Sequence, residues 1–169
     1  MFTYFYHQRI RKSVALFGTL FNDIYVIRKD KTGKSISQIK VPLAYAPREK
    51  YLERIKTNPD LRTNSQIALK LPRMSFEITS IGYDPERKLP KLNNYHKGVT
   101  NTTRDKFFSP SPYQITFQLN IFAKNQDDAL QVVEQILPYF NPQYTISIKP
   151  FTASHADIVE DVPITIQGV

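Results

Sequence analysis

A chain of 169 residues, 41% hydrophobic and 22% charged, has the composition of an ordinary globular protein and the length of about one domain with its own core. The absence of cysteine excludes disulfides and thiolate metal sites, and no apolar run approaches the roughly 20 residues of a membrane-crossing helix. The net charge of +8 is uneven: residues 1–106 hold 21 Lys/Arg against 9 Asp/Glu, residues 107–169 hold 2 against 6. Such asymmetry suits an acidic partner at one end and a different one at the other, or else a solvated basic face.

Residues 7–21, "HQRIRKSVALFGTLF", place Ile10, Val14, Phe17 and Phe21 at helical spacing. Arg9, Arg11 and Lys12 fall mostly on other faces, and Gly18 marks a soft spot or a close-packing point. The basic cluster and short apolar run mimic a signal peptide, but the run stops at Asn22-Asp23 and no small-x-small cleavage site follows. "DIYVIRKDKTGKSISQIKVPLAY" reads as a β-hairpin. Its first strand lies around Ile24–Lys29, "DKTGK" is the turn, and the second strand runs from Ser35 to Val41, limited by Pro42.

"PREKYLERIKT" predicts a helix opened by Pro47, with Tyr51, Leu52 and Ile55 as a short buried face. "NPDLRTNSQ" is a loop. Met74, Phe76 and Ile78, with Ile81 less cleanly, alternate as in a half-buried strand. Residues 84–112 are Pro-rich, polar and without periodicity, which predicts a long loop of functional character.

Ile115, Phe117, Leu119 and Ile121 then alternate with polar residues as a strand. Asn125 is the expected N-cap of a helix with Asp127 and Asp128 in its first turn and Leu130, Val133, Ile136 and Leu137 as its apolar stripe. "QYTISIK" is a further strand; the strand–helix–strand unit admits parallel strands, or antiparallel ones with the helix across a face. "VPITIQGV" reads as a last strand, cut off at residue 169 without a cap or turn, so the gene product is expected to continue.

No catalytic constellation emerges. Asp127 and Asp128 complement the helix dipole and, as successive helical residues, point about 100° apart, too far to share a proton easily. "TGKS" at 32–35 lacks the Gly a phosphate loop needs five positions before Gly33, where Arg28 stands. His7, His96 and His155 are scattered without metal spacing, and no G-x-S-x-G elbow occurs. "NTT" at 101–103 fits a glycosylation acceptor, a pattern with many chance matches. Tyr and Lys/Arg interleave in "YAPREKYLERIK", as in a nucleic-acid surface, but Glu49 and Glu53 among them fit a solvated helix face. The reading is a non-enzyme without cofactor or metal.

Four stretches in order, "MFTYFYHQRIRKSVALFGTLFNDIYVIR", "KVPLAYAPREKYLERI", "LKLPRMSFEITSIGYD" and "SPSPYQITFQLNIFAKNQDDALQVVEQILPYFNPQY", carry a resemblance over nearly all of residues 1–148. The chain resembles the tail sheath stabiliser and completion proteins of T4-like contractile-tailed bacteriophages. The resemblance implies an α+β fold, a mixed or mostly antiparallel sheet with packed helices like that of phage tail terminators, in a single domain over 1–169. It implies a homo-oligomer, a six-fold ring at the head-proximal end of the virion tail, assembled in the host bacterial cytoplasm. Its partners would be the tail sheath protein, the tail tube terminator and the neck proteins, with no membrane role and with DNA passing the lumen unspecifically. A tube terminator that stops tube growth and a basic nucleic-acid-binding module are the alternatives.

Within that frame the expected subunit interface is the long loop, with Tyr95, His96, Arg104, Phe107 and Phe108. The expected sheath or tube contact is the last strand, with Val162, Ile164 and Ile166, through strand addition. Arg9, Arg11 and Lys12 are the expected charged contact.

Overall fold

Gly33 lets the first hairpin turn: its φ of 82° lies in the left-handed region where a Cβ is strained. Asp30 N–H donates to the Lys34 carbonyl and Gly33 N–H to the Asp30 carbonyl, both at 2.8 Å, closing "DKTGK" as a hairpin turn rather than a phosphate loop. The structure, a computed structural model, describes residues 4, 6–30, 32–57, 71–100, 102–151 and 158–169. The expected loop at 58–66 and His155 lie outside the described residues, as does the side chain of Ile55.

In chain order the elements are α1 (Arg9–Leu20), β1 (Tyr25–Lys29), β2 (Ser35–Lys40), β3 (Leu43–Tyr45), α2 (Arg48–Thr57), β4 (Arg73–Tyr83), β5 (Asn94–Gly98) and β6 (Arg104–Phe108). There follow β7 (Tyr113–Phe122), α3 (Gln126–Ile136), a 3-10 turn over Leu137–Tyr139, β8 (Gln143–Ile148) and β9 (Glu160–Thr165). The fold is α+β. Its sheets are small: β1–β2, β3–β4–β7, β5–β6 and β8–β9. The three two-stranded ribbons are antiparallel, whereas β3 pairs parallel to β4. β7 and β8 belong to different sheets, so neither pairing expected of the strand–helix–strand unit is used.

The chain divides into two compact units, one of residues 1–76 with 119–169 and the other of residues 77–118. In the first, α1 lays Phe17 and Phe21 together at 4.8 Å between ring centroids, and Phe17 lies 5.0 Å from Phe76 of β4. Gly18 faces this cluster: a Cβ there would sit 3.4 Å from the Phe76 ring, at the near limit of ordinary contact. Val26, Val41, Met74 and Val132 are fully buried in the same unit. Ile10, expected on the buried face of α1, is 52% exposed.

On α3 the buried residues are Asp128, Val132 and Ile136, while Leu130 and Leu137 of the expected stripe are exposed. The stripe turns because Asp128 goes inward to meet Arg28 of β1 at 3.0 Å. The second unit corrects the expected loop at 84–112, which contains the β5–β6 ribbon. Cross-strand pairing of Tyr95 with Phe107 and of His96 with Lys106 supplies order that single-strand periodicity does not reveal. Around it, Ser109 Oγ lies 3.0 Å from the Pro90 carbonyl and 2.8 Å from that of Asn93. Tyr83 and Tyr113 meet edge-on at 5.8 Å.

Candidate functional site

The surfaces of the described residues are defined by which sheet edges are paired or sealed and which have no strand neighbour. Ile24 carbonyl accepts from Val41 N–H toward the β2 side, so the alternation of the strand turns the backbone of Tyr25 and Ile27 to the opposite edge. There α3 closes the edge with side chains. Gln135 accepts from Tyr25 N–H at 3.3 Å and donates to the Tyr25 carbonyl at 2.7 Å, as a neighbouring strand would. Gln131 accepts from Ile27 N–H at 3.1 Å, and Asp127 accepts from Gln131 at 2.9 Å. One turn further along α3, Asp128 holds Arg28.

The expectation that Asp127 and Asp128 serve only the helix end is therefore corrected. Asn125 makes no side-chain cap bond, and Asp128 is a buried structural ion-pair partner. Sequence reasoning missed Gln131 and Gln135. Their signal was the i, i+4 spacing of two amides beside an Asp on the same helix face. The other strand of this ribbon, β2, is exposed along nearly its whole length, with Ile36 67% exposed.

The three basic residues expected to form one contact are divided. Arg9 pairs with Glu160 of β9 at 2.8 Å and lies 5.3 Å from the Phe151 ring centroid. Lys12 donates to the Pro150 carbonyl at 3.0 Å, and Arg11 is exposed. Two of the three thus tie α1 to the C-terminal ribbon. Lys40 bonds Asp23 at 2.9 Å, and that hydrogen bond raises its ammonium above the ordinary 10.5.

In β9, Val162 lies opposite Ile146 and Ile164 opposite Tyr144. These four side chains are half-buried on one face, and Ile166 follows just past the strand. Pro163 sits within β9, a position tolerated on edge strands. Among the described residues, β9 has no strand neighbour besides β8.

The register of the β5–β6 ribbon sorts its five expected residues onto two faces. Tyr95 and Phe107 are directly opposite on one face; His96, Arg104 and Phe108 alternate onto the other. Lys106 Nζ stands 5.1 Å from the Phe108 ring centroid, and Phe108 is 73% exposed.

His96 is exposed on β5, and among the described residues no group of His, Asp or Glu is placed to hold a metal ion. No helix among them is long and apolar enough to cross a membrane.

The chain is 29% identical over 173 aligned residues to the tail completion protein gp15 of Enterobacteria phage T4, an alignment covering 99% of this chain and 62% of that protein. The chain therefore spans less than two thirds of the length of this relative. Residues 4–169 match the T4-like virus Myoviridae tail sheath stabiliser family, and the chain belongs to that family.

Proposed function

We propose that the chain is a non-catalytic structural component of a contractile phage tail. It forms a ring at the head-proximal end, stabilises the sheath and tube there, and offers the surface on which the neck docks. Family membership supports the tail role. The observation that carries the assembly role is the 77–118 unit. Among its described residues no hydrophobic side chain is buried, while Tyr83, Leu92, Tyr95, Val99, Phe108 and Tyr113 are exposed. A two-stranded ribbon is marginal alone, and exposed apolar surface of this density marks a protein contact.

A closed ring needs two different patches meeting head to tail. The β5–β6 ribbon supplies one, with Tyr95 and Phe107 on one face and His96, Arg104 and Phe108 on the other. The edge of β9, near Val162, Ile164 and Ile166, is where the sheath adds a strand. The number of subunits is six, and DNA crosses the lumen without specific binding. The partners of the ring are the sheath protein, the tube terminator and the neck proteins.

The test is electron microscopy of particles made without this gene product, alongside particles carrying a deletion of residues 90–105. Full-length tails that lose their sheath or fail to join heads are expected from both. Normal infectious particles would remove the reading, and tails of uncontrolled length would point instead to a tube terminator.

A further inference from the structure

A ring built head to tail needs a second patch to receive the β5–β6 ribbon. The two faces of that ribbon differ. On one, Phe107 and Lys97 are half-buried, and Lys97 lies opposite Asp105. On the other, His96, Arg104, Lys106 and Phe108 are all exposed, and the ribbon places no carboxylate among them. Neither Arg104 nor Lys106 makes an ion pair among the described residues. Phe108, Lys106 and Arg104 follow at every second residue, a row about 13 Å long with an apolar end and two cations.

α3 carries a stripe of the opposite sign. Its sequence, "QDDALQVVEQI", holds three carboxylates and no Lys or Arg. It turns Asp128, Val132 and Ile136 inward, and Arg28 neutralises Asp128. Asp127, Leu130, Glu134 and, at the helix end, Leu137 follow at spacings of three or four on the side away from that buried line. All four are exposed, Leu130 by 51% and Leu137 by 43%. Asp127 accepts a hydrogen bond from the neutral amide of Gln131, and Glu134 makes no ion pair among the described residues. From Leu137 to Asp127 the stripe runs about 15 Å, again with an apolar end and two charges.

Given the ring, on which this rests, we infer that the outer stripe of α3 is the patch that receives the β5–β6 ribbon of the next copy. Phe108 of one copy covers Leu137 of its neighbour, Lys106 meets Glu134, and Arg104 meets Asp127. The stems of Lys106 and Arg104 lie over Leu130. Burial of the apolar groups supplies the attraction, and the charges fix which way the ribbon lies along the helix. A second copy is favoured over nucleic acid because it answers both surfaces at once. A phosphate backbone would pair with the ribbon and leave the acidic, apolar stripe of α3 without a partner.

The experiment reverses one charge on each surface. Lys106→Glu and Glu134→Lys alter exposed side chains, so both chains should fold. Oligomers of each are followed by native mass spectrometry and sedimentation velocity over a dilution series. Each variant alone is expected to dissociate at a concentration about tenfold higher than the parent, since a like-charge contact replaces an opposite one. An equal mixture of the two is expected to recover the parent's behaviour. In alternating order every ribbon then faces an α3 of opposite charge, which no contact within one chain could reproduce. An oligomer that ignores either reversal, or a mixture no better associated than its components, overturns this contact and leaves the ring standing. A parent chain that stays monomeric at every concentration removes the ring and this contact together.

Discussion

The two compact units of this chain use apolar residues in opposite ways. The 1–76 and 119–169 unit contains every buried hydrophobic side chain among the described residues, from Phe17 to Ile136. The 77–118 unit contains none and leaves Phe108 and Leu92 largely exposed. Apolar area removed from water within the chain stabilises the fold; apolar area left in water is available to a second protein. Substitutions should therefore separate cleanly into those that lower stability and those that lower assembly.

The largest stability effect is expected at the centre of the first unit. Met74→Ala empties a fully buried site and should lower unfolding free energy by about 2–5 kcal/mol in urea denaturation. Arg28→Met comes next, because it strands a buried carboxylate. Arg28 itself is half-exposed, so a loss of about 2 kcal/mol is expected, smaller than for a fully buried pair. Asp128→Asn should be milder, since the freed Arg28 reaches water; an equal or larger loss would show that Asp128 serves more than this pair.

Gln135→Ala exposes the Tyr25 backbone at the β1 edge. A loss of about 1 kcal/mol is expected. Its sharper signature is concentration-dependent self-association by light scattering, as an unsealed strand edge invites pairing. In the second unit, Phe108→Ser should change unfolding free energy by no more than about 0.5 kcal/mol and yet reduce the oligomer seen by native mass spectrometry. A large stability loss there would mean that Phe108 serves the unit's own fold and would break the contrast.

The smallest effect concerns Lys40 and Asp23. The ammonium is raised by its hydrogen bond to Asp23, so the pair stabilises the chain below the ordinary lysine pKa of 10.5 and loses that contribution as pH rises through the raised value. Thermal melts of Lys40→Gln and the parent should differ slightly at neutral pH, less in high salt, and converge at alkaline pH.

Much of this architecture was legible locally. The α1 helix, the β1–β2 hairpin with Gly33 in its turn, β4, β7, α3 and the last two strands each announce themselves by period or turn chemistry. The β5–β6 ribbon did not, because its order lies in pairing between strands and its apolar residues face no core to impose alternation. The three-residue β3 was hidden behind Pro42 for a related reason: a strand so short exists only because β4 pairs with it.

Family membership was likewise readable from ordered local stretches of the chain. What only the tertiary structure decided is which face each helix turns inward and which backbone edge is closed. Those outcomes depend on partners far along the chain. Asp128 is buried because Arg28, 100 residues earlier, meets it, and β1 is sealed because Gln131 and Gln135 reach it from α3. Local periodicity reports the hydrophobicity of a face. It carries no information about a hydrogen bond or an ion pair whose second half is supplied by another element.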